Sequence, residues 1–417
     1  MRVCVIGLGY IGLPTAVVFA RAGLDVLGVD VSERAVEAVN AGRPHIVEPG
    51  LGEALSEAVA TGRLRAATEA AEADAFIVAV PTPFKDDHVP DLSYIEAASK
   101  ALAPHLRPGS LVILESTSPV GATERMAGWL AEARPDLTFP QDAGEGSDVR
   151  VCHCPERVLP GRILQELVEN DRVAGGMTPA CAKAARDLYA RVVTTGATHL
   201  TDARTAEMAK LTENAFRDVN IAFANELSLL ADRFGVDVWR LIEMANKHPR
   251  VNILTPGPGV GGHCIAVDPW FLVDGAPDLA RLIRTAREVN DGKPGWVLEQ
   301  VRAAVAGIEN PTVACLGLAF KPDVDDLRES PALEIACALA AELPVVAVEP
   351  HVRAVPPSLG ALGGRLVGLD EALRAADLVL ILVGHSAFEG ASFAGKPVID
   401  TRGPRSQPGS RHSEAAE

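Results

Sequence analysis

The chain has 417 residues, 48% of them hydrophobic, and a formal net charge of −16. That length suits two or three domains with large cores, and so acidic a chain is poorly built to hold nucleic acid or an anionic membrane surface. Seven scattered cysteines make no disulfide framework, Met1-Arg2 opens no signal peptide, and no apolar run spans a bilayer, so the expected location is a reducing cytoplasm.

Residues Arg2 to Ile6 read as a buried parallel strand. Gly7-Leu8-Gly9-Tyr10-Ile11-Gly12 follows, then a helical run that stops at Gly23, then a second strand, Val26 to Val29, ending in Asp30. Glycines at this spacing, with a strand before, a helix after and an acid closing the next strand, predict a dinucleotide site. Gly7 permits the tight turn, Gly9 lets backbone N–H groups approach a pyrophosphate, and Gly12 lets the helix pack close to the sheet. The helix N-terminus favours the negative charge. Asp30 accepts a ribose 2′-hydroxyl and repels a 2′-phosphate, which selects NAD over NADP.

Two further strands, Ala73 to Val80 and Leu111 to Glu115, end in Pro81-Thr82-Pro83 and Ser116-Thr117-Ser118. Open α/β sheets bind ligands at such ends, although Thr, Ser and Pro equally serve plain turns. Val151 to Cys154 is a short strand running into Pro155-Glu156-Arg157-Val158-Leu159-Pro160-Gly161, where the Glu and Arg either face a ligand or form a solvated turn pair. Cys152-His153-Cys154 lacks a second ligand pair at zinc spacing, so no metal site is expected.

From about Ala203 the pattern becomes long helix. Lys210, Asn214 and Arg217 recur at four and three residues and share one face. Their apolar flanks predict burial, and a buried cation needs a partner, of which an anionic ligand is one. Helices are expected to continue through Phe234, from Val238 to Asn246, and from about Leu279 to Asn290. Between the last two lies Pro256-Gly257-Pro258-Gly259-Val260-Gly261-Gly262-His263-Cys264, with Asp268 four residues on. A thiol presented among glycines is either a nucleophile or a small buried hydrophobe. Near Pro311 the opening pattern returns: Thr312 to Ala319, Pro344 to Glu349 and Ala376 to Val383 echo the first three strands. The second glycine turn lacks its third glycine, so a second dinucleotide is not expected there, whereas a nucleotide at the strand ends fits. Lys321 and Arg328, after its first strand, either hold phosphate or form a surface charge cluster. The polar end from Pro404 is expected to be disordered.

These motifs, in this order over about residues 1–403, resemble the UDP-glucose/GDP-mannose dehydrogenase family: the glycine turn, Lys210 with Asn214, Gly261-Gly262 before Cys264 and Asp268, and Phe320-Lys321-Pro322 through Asp326, Arg328 and Ser330-Pro331. The resemblance implies an α/β fold, two Rossmann-like doubly wound parallel-sheet domains joined by a central all-helical domain. Its expected parts are an NAD-binding domain (1–197), a central dimerisation and catalytic domain (198–300), a C-terminal UDP-sugar-binding domain (301–403) and a disordered tail (404–417). Within the family, His263 to Phe271, with the runs His248 to Ile253 and Cys154 to Gly161, is similar to the N-acetylhexosamine branch and to enzymes acting on UDP-N-acetyl-D-mannosamine. A lysine usual in the UDP-glucose branch is replaced here by Val267.

Carried over residue by residue, the resemblance implies that Cys264 is the nucleophile, that Lys210 and Asn214 hold the developing oxyanion, that Asp268 handles protons, and that Glu156 serves thioester hydrolysis. Arg157, Val158, Arg217, His248, Arg250, Gly261 and Lys321 line the nucleotide-sugar, with Arg250 reaching in from a neighbouring subunit of a homodimer. Gly7, Gly9, Tyr10, Ile11, Gly12, Asp30, Thr82, Thr117 and Arg328 contact NAD. The implied reaction is a four-electron oxidation of a UDP-N-acetylhexosamine at C6 to the uronate, for surface polysaccharide synthesis. UDP-GlcNAc and UDP-GalNAc remain alternative substrates. A non-catalytic NAD or nucleotide-sugar sensor has no use for the thiol, and a two-electron hydroxyacid dehydrogenase would make one NADH without it.

Overall fold

Along the first strand, β1 (Arg2–Ile6), side chains alternate between two faces that are both apolar, with Val3 and Val5 in one core and Cys4 and Ile6 in the other. A strand of that kind needs cover on both sides, which is the signature of a doubly wound sheet. Around it lie β2 (Asp25–Val29), β3 (Leu64–Ala67), β4 (Ala75–Val78), β5 (Leu111–Leu114), β6 (Arg150–His153), β7 (Arg172–Gly176) and β8 (Thr198–Asp202). They form one sheet in the order β3-β2-β1-β4-β5-β6-β7-β8. All neighbours are parallel except β6 and β7, which are antiparallel. Thr198–Asp202 lies beyond the 197/198 boundary read from the sequence, yet it completes this sheet because its backbone pairs with Arg172–Gly176. The computed structural model describes residues 1–401 except His263 and Ala394, and the expected disordered tail lies outside the described residues.

The middle of the chain is helical: Ala203–Phe234 is one helix of 32 residues, followed by Val238–Ala245 and by a second long helix, Arg281–Val305. The sequence reading stops that last helix near Asn290. It continues because Lys293, Pro294, Val297, Val301 and Val305 are all buried, and this packing outweighs the hydrogen bond that an internal proline removes. The C-terminal sheet repeats the first design with β9 (Val313–Leu316), β10 (Val345–Val348), β11 (Arg365–Leu366), β12 (Leu378–Ile381) and β13 (Val398–Asp400). Its order is β11-β10-β9-β12-β13, all parallel. The chain forms two compact units, Met1–Glu213 with Trp270–Ala276, and Asn214–Pro269 with the residues from Pro277 onward. Among the described residues no helix is long and apolar enough to cross a membrane.

One buried charge in the helical region stands out. Lys293 is 2% exposed, donates to the Ser228 hydroxyl, and lies 4.0 Å over the Trp296 ring. Burial pulls its pKa down from 10.5 to about 8. Below pH 8 both folded and unfolded chains carry the proton, so the burial cost is present in full. Between pH 8 and 10.5 only the unfolded chain keeps it, so stability rises with pH in that window. The shift corresponds to at most about 3 kcal/mol. Lys293→Met is therefore expected to raise the urea midpoint at pH 7, with the gain shrinking towards pH 10. A variant less stable than the parent at both pH values would show that the ammonium is a net stabiliser.

Candidate active site

The glycine turn has the geometry a dinucleotide needs. Registers Ile6↔Val29 and Ile6↔Val78 bring Gly7, Asp30 and Ala79 to one level at the carboxyl edge of the sheet, where the strand order switches direction around β1. Gly7 has φ +91°, and a Cβ there would meet the Ala79 carbonyl oxygen at 2.5 Å. A Cβ on Gly12 would meet the Gly7 carbonyl oxygen at 1.8 Å, so the helix Gly12–Arg21 packs against the turn as only glycine allows. A Cβ on Gly9 meets nothing within 4 Å: that glycine leaves open space, as the approach of a pyrophosphate requires. Tyr10 and Ile11 are half-buried beside it. Asp30 accepts the Leu8 N–H through Oδ2 (2.9 Å) and the Ser32 N–H through Oδ1 (2.9 Å). Each oxygen keeps a second lone pair for a ribose hydroxyl. These residues fit NAD.

The two strand-end turns are tied together. Thr82 Oγ1 donates to the Thr117 carbonyl at 2.5 Å, and Ser116 Oγ donates to the Val80 carbonyl at 2.6 Å. Behind them Glu207, which the sequence reading missed, accepts the N–H groups of Gly121 (2.7 Å) and Thr123 (2.8 Å) and the Thr123 hydroxyl (2.6 Å). It caps the helix Ala122–Ala133 from the side, and burial raises its carboxyl above the usual range. Its legible signal was an acid on the same helical face as Lys210, three residues before it.

Also in the first unit, the Glu156-Arg157 turn is doubly paired with the long helix. Lys210 Nζ lies 3.6 Å from Glu156 Oε2, with both side chains nearly out of water. Arg157 bridges Glu213 at 2.8 Å, and the Glu156 carboxylate also accepts the Val158 N–H. His153, at the end of β6, is fully buried, and neither ring nitrogen meets a partner among the described residues. Burial, with the Lys210 charge nearby, pushes it down to about 3, so it stays neutral and adds no repulsion to Lys210.

In the second unit the cysteine loop is a chain of close approaches. Gly259 has φ +147° and Gly262 φ +84°, and a Cβ on Gly261 would meet the Glu329 carbonyl oxygen at 2.4 Å. The Cys264 carbonyl accepts the N–H groups of Val267 (3.0 Å) and Asp268 (2.8 Å), a helical turn leading into the helix Asp268–Gly275. Cys264 thus stands on the turn that leads into this helix. Asn214 Nδ2 donates to Asp268 Oδ2 at 2.5 Å, joining two expected site residues 54 positions apart. Cys264 and Cys337 are half-buried, whereas the other five cysteines are buried. Burial pushes Cys4 up to about 11 and Cys315 to about 12, and raises Cys152 and Cys154 well above their ordinary value, so those four thiols are chemically quiet.

The remaining expected residues are more dispersed. Arg217 is half-buried on the long helix, and Lys321 is half-buried after β9. Arg328 is exposed, with its guanidinium on Asp326 (Nε to Oδ1 2.9 Å) and its carbonyl accepting the Gly262 N–H at 3.2 Å. His248 and Arg250 are exposed on the turn after Val238–Ala245, where the Arg250 N–H donates to His248 Nδ1 at 3.3 Å. In the C-terminal sheet, Glu349 Oε2 accepts the N–H groups of Leu318 (2.7 Å) and Ala319 (3.0 Å) and faces His385 Nε2 at 3.0 Å. Asp323, His351 and His385 are close enough to hold a metal ion. However, His385 Nδ1 already accepts the Asp323 N–H at 3.0 Å, so its lone pair is taken.

A glycine-turn sheet shaped for NAD, a helical middle carrying buried cations, and a second sheet of the same design define an NAD-linked oxidoreductase with a nucleotide-binding second domain. Family models for UDP-glucose/GDP-mannose dehydrogenases match in three parts: the NAD binding domain over residues 1–193, the central domain over 204–292 and the UDP binding domain over 314–405. The chain belongs to this family and is an NAD-dependent UDP-sugar dehydrogenase. It is 58% identical to a UDP-N-acetyl-D-mannosamine dehydrogenase of Salmonella typhi, over 96% of this chain and 98% of that one. It is 59% identical to an NDP-N-acetyl-D-galactosaminuronic acid dehydrogenase of Ralstonia solanacearum, over 96% and 95%. Among solved structures, the UDP-D-ManNAc dehydrogenase of Pyrococcus horikoshii superposes with a TM-score of 0.87 at 40% identity, covering 96% of this chain and 95% of that one.

The open space at Gly9 separates binding from folding. Gly9→Ala is expected to leave the melting temperature of the cofactor-free protein within about 1 °C, while NAD affinity, measured by titration calorimetry, falls about 10-fold or more. Unchanged affinity would mean that the pyrophosphate lies elsewhere.

Proposed function

We propose that the chain oxidises UDP-N-acetyl-D-mannosamine at C6 to UDP-N-acetyl-D-mannosaminuronate through a thioester on Cys264, in the cytoplasm. The observation that carries this reading is the Cys264–Asp268 turn, with its half-buried cysteine leading into a helix and its carboxylate hydrogen-bonded to Asn214. The sugar is taken from the name of the 58% identical Salmonella relative. The equally similar galactosaminuronic acid dehydrogenases favour a second reading, the same chemistry on UDP-N-acetyl-D-galactosamine. Purified protein offered both UDP-N-acetylhexosamines, with uronate measured for each, decides between them.

The balance is a primary alcohol, two NAD and water giving a carboxylate, two NADH and three protons. Bound NAD supplies the hydride acceptor for both oxidations. Lys210 and Asn214, one helical turn apart, donate to the C6 oxygen as it gains negative charge. The thiolate of Cys264 adds to the aldehyde carbon, and the carbonyl π pair moves onto oxygen to give a thiohemiacetal. Its oxidation leaves the thioester, and water adds to that carbon with Glu156 taking a proton, which frees the carboxylate and the thiol. Asp268, held by Asn214, receives the proton that Cys264 gives up. Glu156 lies beside Lys210 at 3.6 Å, so the oxyanion donor and the hydrolytic acid share one buried pair. Removing one such donor typically lowers the rate by about 10²–10³. Lys210→Ala is therefore expected to slow both oxidations by that factor, whereas Cys264→Ala should form no uronate. Two NADH per uronate from Cys264→Ala would rule out the covalent route.

We further propose a homodimer built on the long helix. Phe216, Phe223 and Phe234 are 69%, 55% and 75% exposed there, and spacings of seven and eleven put them on one face. An aromatic stripe of that size is an association surface. In this arrangement Arg250 serves the partner's substrate. Mixing inactive Arg250→Ala and Cys264→Ala proteins through a dissociation step then creates one intact site per mixed dimer, about a quarter of parental activity. If Arg250 acts within its own chain, the mixture stays inactive.

A further inference from the structure

The loop that presents Cys264 is gripped at both shoulders by a buried polar network that the mechanism above leaves without a task. Asn225, on the long helix and fully buried, accepts the Gly257 N–H through Oδ1 at 2.9 Å and donates through Nδ2 to Asn290 Oδ1 at 2.8 Å. Asn290 Nδ2 donates in turn to Asp218 Oδ1 at 2.8 Å and to the Asp218 carbonyl at 3.1 Å. Arg287, 2% exposed, donates to Asp218 Oδ1 at 2.7 Å, pairs with Asp291, and reaches the Ile265 carbonyl at 3.4 Å. Gly257 lies seven residues before Cys264, and Ile265 directly after it. Between the two anchors Gly262 donates to the Arg328 carbonyl, and its φ of +84° sets it under the Phe320 ring. The sulfur therefore sits on a short arc fixed at both ends and pressed in the middle.

The network is a poor way to stabilise a fold. Asp218 Oδ2 and Arg287 Nε are buried with no partner among the described residues, and an incompletely satisfied buried ion pair is commonly less stable than an apolar replacement of the same volume. What it does accomplish is positional. A reacting atom displaced by about 1 Å can cost ~10²-fold in rate.

We propose that Arg287, Asn290 and Asn225 are positioning residues that hold the Cys264 sulfur where it captures the aldehyde of the first oxidation. This rests on the reading of Cys264 as the nucleophile. Forming the aldehyde needs no sulfur; forming the C–S bond does. Loosening the arc therefore slows the second half of the reaction and spares the first, a split that a general loss of structure does not produce.

The test uses Arg287→Lys, which keeps the charge but shortens the reach to Ile265, and Asn225→Ala, which touches the Gly257 shoulder. Full-length variants turn over UDP-N-acetyl-D-mannosamine with NAD and are quenched into acidic hydroxylamine, so that bound and released aldehyde are both counted as oxime. The expected result is oxime accumulation, more than two NADH per uronate, and a roughly 100-fold lower kcat for uronate, with KM for the sugar nearly unchanged. Uronate and NADH falling together at one to two, without oxime, overturns the inference, and so does failure of both variants to fold. If only Arg287→Lys fails to fold, Asn225→Ala decides alone. Cys264→Ala run in parallel separates the two claims: if it still yields uronate, the nucleophile reading is wrong, and if it does not while the network variants keep their stoichiometry, only the positioning claim is lost.

Discussion

A charge taken out of water has to be answered by an opposite one, and that constraint shapes the functional half of this chain. Lys210 is answered by Glu156, and Arg287 by Asp218. Each pair joins elements far apart in sequence, so each also fixes geometry: a strand-end turn to the long helix in the first unit, and the long helix to the second long helix in the other. Lys293 is the counterexample. Among the described residues it meets only a hydroxyl and an aromatic face, with Asp232 acting at a distance, and burial depresses its pKa.

Legibility in the sequence followed the range of the interaction. The first glycine turn is entirely local: Gly7, Gly9, Gly12 and Asp30 lie within one strand–helix–strand unit, and their roles follow from Cβ clashes and strand ends. The doubly wound class came with the family resemblance, and the buried parallel strand read from Arg2 to Ile6 fits it, since β1 feeds two cores. The stripe of Lys210, Asn214 and Arg217 was visible as helical spacing. Its partners were not, because Glu156 is 54 residues from Lys210 and Asp268 is 54 from Asn214. Nothing local marks such pairs. The second long helix ran past its expected end because tertiary burial of Val297, Val301 and Val305 overrode the local signal of Pro294.

The two sheets solve one problem twice. In each, an acid closing the second strand accepts the first N–H beyond the glycine turn: Asp30 from Leu8 and Glu349 from Leu318. The difference lies in what else the carboxylate does. Asp30 keeps lone pairs facing open space at Gly9, whereas Glu349, one carbon longer, also takes the Ala319 N–H and is covered by buried His385. The carboxylate that keeps acceptor capacity in the first sheet is thus engaged by the protein itself in the second. This agrees with the match of that region to a UDP binding domain.

The uneven depth of the sulfur atoms makes this protein easy to address with covalent chemistry. An acrylamide-bearing fragment finds five of the seven thiols walled in and must choose between Cys264 and Cys337. Intact-mass adduct counting, with and without nucleotide-sugar present, would turn that choice into an occupancy assay, and would give inhibitor discovery a handle that needs no knowledge of the sugar.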